Sequence, residues 1–181
     1  MWSTRSSGDK VILSILFMDT KRILTQTFGV VGAVLEKDGH ILLVKENNAA
    51  HPDHGKWNHP AGWIDVGENP VEAAQREVLE ETGFTFVAEY ILGIYSLVRQ
   101  DLKKELKATP QSIKILFIGK ILDKAPRQLL GDTSEVKWFL PDEIYQMNAA
   151  TLRDLDIKTA VRDYFDGKRY PLELLRHSVS K

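Results

Sequence analysis

A chain of 181 residues with 43% hydrophobic and 27% charged side chains has the balance of one globular domain able to bury a core. A formal net charge of −1 excludes the basic excess with which proteins grip a nucleic-acid backbone, so the expected partner is a small molecule, free nucleotides included. With no cysteine, disulfides, thiolate metal sites and a thiol nucleophile are excluded, and a reducing cytoplasm is the expected compartment.

Residues 1–27 read as an N-terminal extension ahead of a domain over 28–181. Within the extension, 11–18 is apolar except for Ser14 and follows Arg5 and Lys10, but it is too short to span a membrane and lacks a small-residue cleavage site. It is expected to pack as a helix or strand, on the core or in a homodimer interface. Residues 20–26 carry no clear pattern. Two β-branched and aliphatic runs, 28–35 and 41–45, flank Asp38-Gly39, and together they predict a β-hairpin. The Asn-, His-, Pro- and Gly-rich stretch 47–56 predicts a loop, and 57–63 leads out of it.

The stretch 62–84, GWIDVGENPVEAAQREVLEETGF, is the most informative in the chain. Asn69 suits an N-cap, Pro70 the first helical position, Glu72 a capping box and Gly83 a left-handed stop. Between these caps Val71, Ala74 and Val78 recur at helical spacing, while Glu77, Glu80 and Glu81 share another face. Like charges so spaced cost a helix roughly 0.2–0.5 kcal/mol per pair, so the patch calls for water or a counter-charge. A hard divalent cation fits, because Mg²⁺ takes oxygen ligands and is commonly held by one or two carboxylates together with substrate phosphates.

Beyond this helix, 85–98 and 112–122 read as long strands, the first with a bend at Gly93. Between them 99–111 carries Lys103, Lys104 and Lys107 beside Asp101 and Glu105. Residues 123–134 look irregular and 136–139 form a short strand. Pro141 opens a short helix, and 151–165 predicts a longer one with Leu152, Leu155, Val161 and Phe165 on its apolar face and Gly167 at its stop. Strands, one helix, more strands and final helices suggest an α+β arrangement of sheet between helices.

The stretch 62–84 resembles the Nudix box, and its fixed positions are all matched, by Gly62, Glu68, Arg76, Glu77, Val78, Glu80, Glu81, Gly83 and Phe84. The resemblance implies the Nudix α/β/α sandwich over about 28–165, a mixed sheet packed between helices. It implies a pyrophosphohydrolase that cuts a phosphoanhydride in a nucleoside diphosphate joined to another group, using Mg²⁺ or Mn²⁺ and an attacking water.

By that resemblance Glu77 and Glu81 are metal ligands, Glu80 is a further ligand or the general base, and the carbonyl of Ala61 is an additional ligand. Arg76 is expected to orient Glu68 or Glu77 by a charge-assisted pair. The base has outside candidates in Glu135 and Asp132, against the reading of both as solvated loop acids. Trp57 and Trp63 are candidates to stack on a base or sugar, with core packing the alternative. Lys103 and Lys104 are candidates for phosphate contact, and an exposed charged loop is their plainer reading. His51, His54 and His59 are close enough in sequence to raise zinc, but without a thiolate that reading is disfavoured.

For function, the leading substrate is a nucleoside diphosphate sugar such as ADP-ribose, because the N-terminal extension resembles those of dimeric sugar-nucleotide hydrolases. Nucleoside triphosphates and dinucleoside polyphosphates are alternatives, since neither the proline nor the tyrosine that marks family subgroups stands in 97–102. A non-catalytic nucleotide-binding module is a further alternative, opposed by the intact glutamates. An isopentenyl diphosphate isomerase type is opposed by the missing cysteine, and an RNA-end pyrophosphohydrolase by the near-neutral charge.

Overall fold

The structure, a computed structural model, describes residues 27–49, 51–103, 109–122 and 133–180. The expectations for 11–18 and 20–26, and for Lys104, Lys107 and Asp132, lie outside these residues. The chain divides into two units, 28–97 with 112–181 and 1–27 with 98–111. In the latter unit the Arg99 N–H donates to the Pro110 carbonyl at 2.9 Å and the guanidinium pairs with Asp101 at 2.8 Å.

Among the described residues nine strands form two sheets. Strands β1 (Thr27–Ala33), β5 (Ala61–Trp63), β6 (Phe86–Val98), β7 (Gln111–Ile121) and β9 (Tyr170–Pro171) line up as β5-β1-β7-β6-β9. Strands β2 (Glu36–Lys37), β3 (His40–Glu46) and β4 (Trp57–Asn58) form the second sheet with β8 (Thr133–Phe139), which also pairs with β3. The helices are α1 (Pro70–Thr82), α2 (Pro141–Gln146) and α3 (Asp156–Phe165). Among the described residues no helix is long and apolar enough to cross a membrane.

The Asp-Gly hairpin forms, but its first arm is β2 rather than 28–35. Asp38 and Gly39 both take positive φ, 51° and 78°, the two-residue turn that matches strand twist. The chain changes sheets just before it: the Val34 N–H donates to Phe117 of β7, whereas the Leu35 carbonyl accepts from Leu42 of β3. One apolar run therefore serves two sheets, which period-2 alternation alone does not reveal.

Alternation along the strands builds the layers. On β3, Leu42 and Val44 enter a core with Ala73, Ala74 and Val78 of α1, while Ile41 and Leu43 enter another with Ile144 of α2 and Ile157, Ala160 and Val161 of α3. On β7, Phe117 joins the α1 core and Leu116 and Ile118 the other. The result is the expected α+β sandwich, sheets between helices.

Two boundaries differ from expectation. Strand β8 begins at Thr133, so Glu135 stands within a strand instead of a loop, opposite Lys45 of β3. Residues 151–155 precede α3 instead of opening it, because their backbone is engaged by β4: the Trp57 N–H donates to Thr151 at 2.8 Å and the Arg153 N–H donates to Trp57 at 2.9 Å. Leu155, expected on the apolar face, is accordingly exposed, and Phe165 is exposed at the last residue of α3.

Candidate active site

Helix α1 carries the acidic residues and its ends are set locally. The Asn69 side chain accepts from the Val71 N–H at 2.9 Å, so the cap is made to the second helical residue and Glu72 serves as a first-turn acid favoured by the helix dipole. At the other end Gly83 adopts φ 72° and its N–H closes on Leu79 at 2.9 Å, the left-handed stop expected there. Val78, fully buried, anchors the helix to the core and turns the glutamate face toward β5.

Strand β5 is held in place by β1, with Val31 opposite Gly62 and Gly32 opposite Ala61. The Pro60 carbonyl accepts from Ala33 at 3.0 Å and the Ile64 N–H donates to Gly29 at 3.2 Å, pinning both ends. Ala61 then donates its N–H to Glu81 Oε2 at 2.8 Å, which brings its peptide into the acidic cluster. Gly62 lies so close to Glu77 that a Cβ on it would collide with the Glu77 carboxylate.

Arg76 is the hub. Its Nε and Nη2 donate to the two Glu68 oxygens at 2.8 and 2.9 Å, a bidentate pair, while Nη1 donates to Glu77 at 2.6 Å and to Glu80 at 3.3 Å. Nη2 also donates to the Trp63 carbonyl at 3.1 Å. Both expected partners of Arg76, Glu68 and Glu77, are thus engaged together, and a single guanidinium offsets the like-charge crowding of the helix. Glu68 in turn accepts from the Asp65 N–H at 3.1 Å, closing the loop that precedes α1.

Protonation follows burial. The Arg76 hydrogen bonds hold the Glu68 carboxyl below its ordinary value and hold Arg76 more firmly protonated. Glu77 is raised, chiefly by burial and against the pull of Arg76. Glu81 is pushed up to about 8 by burial; the Ala61 N–H opposes the shift and the Glu77 charge adds to it. Two adjacent carboxylates are therefore costly to ionise without a cation. Glu80 is the most open of the three acids, its side chain 38% exposed against 13% for Glu77, and so the one with readiest access to water.

Among the described residues no group of three or more His, Cys, Asp or Glu side chains gathers as a metal site made wholly of protein. The donor set nevertheless fits Mg²⁺ or Mn²⁺. It is all oxygen, with two buried carboxyls that a cation would stabilise in their ionised forms, and Mg²⁺ is typically shared between one or two carboxylates and substrate phosphates instead of a cage made wholly of protein.

A profile of the NUDIX domain matches residues 25–160. The chain belongs to the Nudix family. It is 32% identical to phosphatase NudJ of Escherichia coli K12 over 148 residues, covering 80% of this chain and 88% of that protein. A NUDIX hydrolase of Nitrosomonas europaea superposes with a TM-score of 0.74 at 33% identity, over 84% of this chain and 98% of that one. A MutT protein of Methanosarcina mazei Go1 gives a TM-score of 0.64 at 25% identity, over 80% and 98%. The protein is a Nudix hydrolase, and Glu68, Arg76, Glu77, Glu80 and Glu81 of its Nudix box are the residues that the fold gathers around β5.

The remaining candidates separate. Trp63 is 55% exposed and leans on Phe28 with ring centroids 4.5 Å apart, so a face beside the Nudix box stays open. Trp57 is packed instead, edge-on against Phe139 at 4.9 Å with Lys45 Nζ 5.3 Å from its ring centroid. That is the core role, and the reason is that β4 pairs with the interior strand β3. Glu135 pairs with Lys45 at 3.4 Å. Lys103 is exposed in the 1–27 and 98–111 unit.

Lys114, Asp154, Asp156 and Asp53 are not singled out by their types alone. Lys114 is buried and pairs with Asp156 at 3.2 Å and Asp154 at 3.8 Å. His59, fully buried beside them, is pushed down to about 3, first by burial and then by the Lys114 charge, so it is neutral. One signal was available: Lys114 stands in register with Leu116 and Ile118, on the inward face of its strand. Asp53, fully buried between Lys56 and Arg153, carries no comparable signal in its loop.

Proposed function

We propose that this Nudix hydrolase cleaves a phosphoanhydride bond in a nucleoside diphosphate linked to another group, with a bound divalent cation. The observation that carries the reading is the pair Glu77 and Glu81, two carboxylates that burial raises toward their protonated forms, side by side against the Ala61 peptide. Such a pair is stabilised as anions by a cation shared with an anionic substrate.

Glu77 and Glu81 would hold the cation, with the Ala61 carbonyl as a further ligand, which leaves Glu80 for the role of base. When bound, Mg²⁺ or Mn²⁺ supplies neutralisation of the phosphate oxygens and a lower pKa for the attacking water. Glu80, the open acid, takes the proton of that water as its oxygen bonds to phosphorus and the bridging P–O bond breaks. Arg76 positions Glu77 and Glu80 while Glu68 fixes its other edge. Glu135, tied to Lys45, is the weaker candidate for the base. Trp63 offers an aromatic face to a base or sugar.

The preferred substrate is a diphosphate sugar such as ADP-ribose, with nucleoside triphosphates and dinucleoside polyphosphates as the other two classes. The name of the E. coli relative, phosphatase NudJ, agrees with phosphate-directed chemistry in general. A cytoplasmic compartment and a homodimer complete the proposal. The test is a panel of all three classes with Mg²⁺ or Mn²⁺, read as monophosphate or phosphate release. At least one compound is expected to turn over and to stop doing so in Glu81→Gln; a panel with no turnover, or an undiminished variant, refutes the reading.

A further inference from the structure

Asp53 is completely buried in the loop between β3 and β4, and a buried carboxylate must be paired. Lys56 meets one oxygen with a hydrogen bond of 3.1 Å, and Arg153 Nε approaches the other at 3.4 Å. The Arg153 backbone is fixed as well, because its N–H donates to Trp57 at 2.9 Å and Leu152 bridges to Trp57 in parallel. From Trp57 the chain runs through Asn58, His59 and Pro60 straight into Ala61, which donates to Glu81. Arg153 is therefore fastened to the segment that becomes one wall of the acidic site.

Neutralising Asp53 does not by itself explain Arg153. Lys56 already does so with the shorter contact, and the arginine commits only its Nε edge. Among the described residues neither terminal nitrogen of Arg153 has a hydrogen-bonding partner, and the side chain is 27% exposed. A guanidinium paired through Nε leaves its Nη pair as a two-pronged donor, the geometry that matches phosphate. Its charge also reaches Glu81, where it favours the ionised carboxylate.

We propose that Arg153 is a substrate-binding residue that engages a phosphate of the diphosphate group through its Nη edge, its Nε side being paired with Asp53. This rests on the phosphoanhydride reading above.

The test uses methylenediphosphonate, a diphosphate analogue that cannot be hydrolysed, titrated calorimetrically with Mg²⁺ into wild type, Arg153→Gln and Arg153→Lys. Arg153→Gln is expected to bind at least about tenfold more weakly, and Arg153→Lys to recover part of the loss, because a lysine keeps the charge but not the fork. With the substrate found by the panel, KM is expected to rise more than kcat falls, a split that a merely structural ion pair would not produce. Unfolding midpoints check that the variants are folded. If Arg153→Gln is not, the lysine variant alone decides, by binding more weakly than wild type. Equal affinity of folded variants and wild type overturns the role of Arg153 and leaves the phosphoanhydride reading intact, whereas a wild type that ignores the analogue overturns both.

Discussion

Replacing Glu81 by glutamine is expected to make the metal-free protein more stable while removing its activity. The Glu81 carboxyl stands at about 8 in the fold against an ordinary 4.5, because burial outweighs the Ala61 N–H. Between those values the native state holds a proton that the unfolded chain releases. The stability this proton contributes is complete below pH 4.5 and is lost as pH rises through 8. At about 1.4 kcal/mol per tenfold, the ionised carboxylate costs the chelated protein about 3–5 kcal/mol at pH 9. Glutamine keeps an acceptor for the Ala61 N–H and carries no charge, so it avoids that cost. The assay is urea unfolding in chelator at pH 5, 7 and 9, repeated with excess Mg²⁺. Glu81→Gln should exceed wild type by a few kcal/mol at pH 9 and the gap should close at pH 5, while Mg²⁺ should stabilise wild type and not the variant. A gap that does not change with pH, or a variant less stable than wild type at pH 9, refutes the reasoning.

Three further outcomes can be measured. Gly62→Ala should fold, since the colliding atoms end a flexible side chain, yet lose on the order of a hundredfold in kcat as Glu77 is displaced; circular dichroism and steady-state rates check this. Arg76→Gln should lose about 1–3 kcal/mol, and Arg76→Lys should not restore it because the bidentate grip on Glu68 needs the fork, as denaturant titration at neutral pH will show. With that grip gone, Glu68 no longer contributes the stability that wild type loses as pH falls below the ordinary glutamate range. Finally, Glu80→Gln should slow turnover by roughly 10²–10⁴ while Glu135→Gln stays near wild type; the reverse ranking would move the base to β8.

Helix α1 was legible in the sequence because all its devices are local: an Asn-Pro start, a glycine stop and an apolar stripe that fixes which face the glutamates occupy. The layers were legible from alternation and from the order of elements. What was misread depends on pairing across long separations. Residues 151–155 have helical spacing, but Trp57 takes their backbone groups, and nothing within that stretch announces a partner so far away. The hairpin arm was misplaced for the same reason, since only Phe117 of β7 reveals that Val34 belongs to another sheet. In the site, the common face of Glu77, Glu80 and Glu81 followed from spacing and the part of Arg76 from the family resemblance, whereas Asp53 and Arg153 meet only after folding and neither is marked by its neighbours. The two tryptophans look alike in sequence and differ because Trp57 packs edge-on against Phe139 while Trp63, beside Phe28, keeps an open face.

Gly62 is usually the kind of residue one attributes to a turn, yet it sits in an extended strand and is not among the residues of positive φ. What it provides is volume, which the Glu77 carboxylate fills. Positions 62 and 77 are therefore one compound site, and their contents should vary together. Among related sequences, a larger residue at 62 should accompany a shorter or apolar one at 77, and such a pairing would mark a member that has given up hydrolysis while keeping the fold. Glycine at 62 in this chain is, on that rule, a volumetric signature of an enzyme still committed to its chemistry.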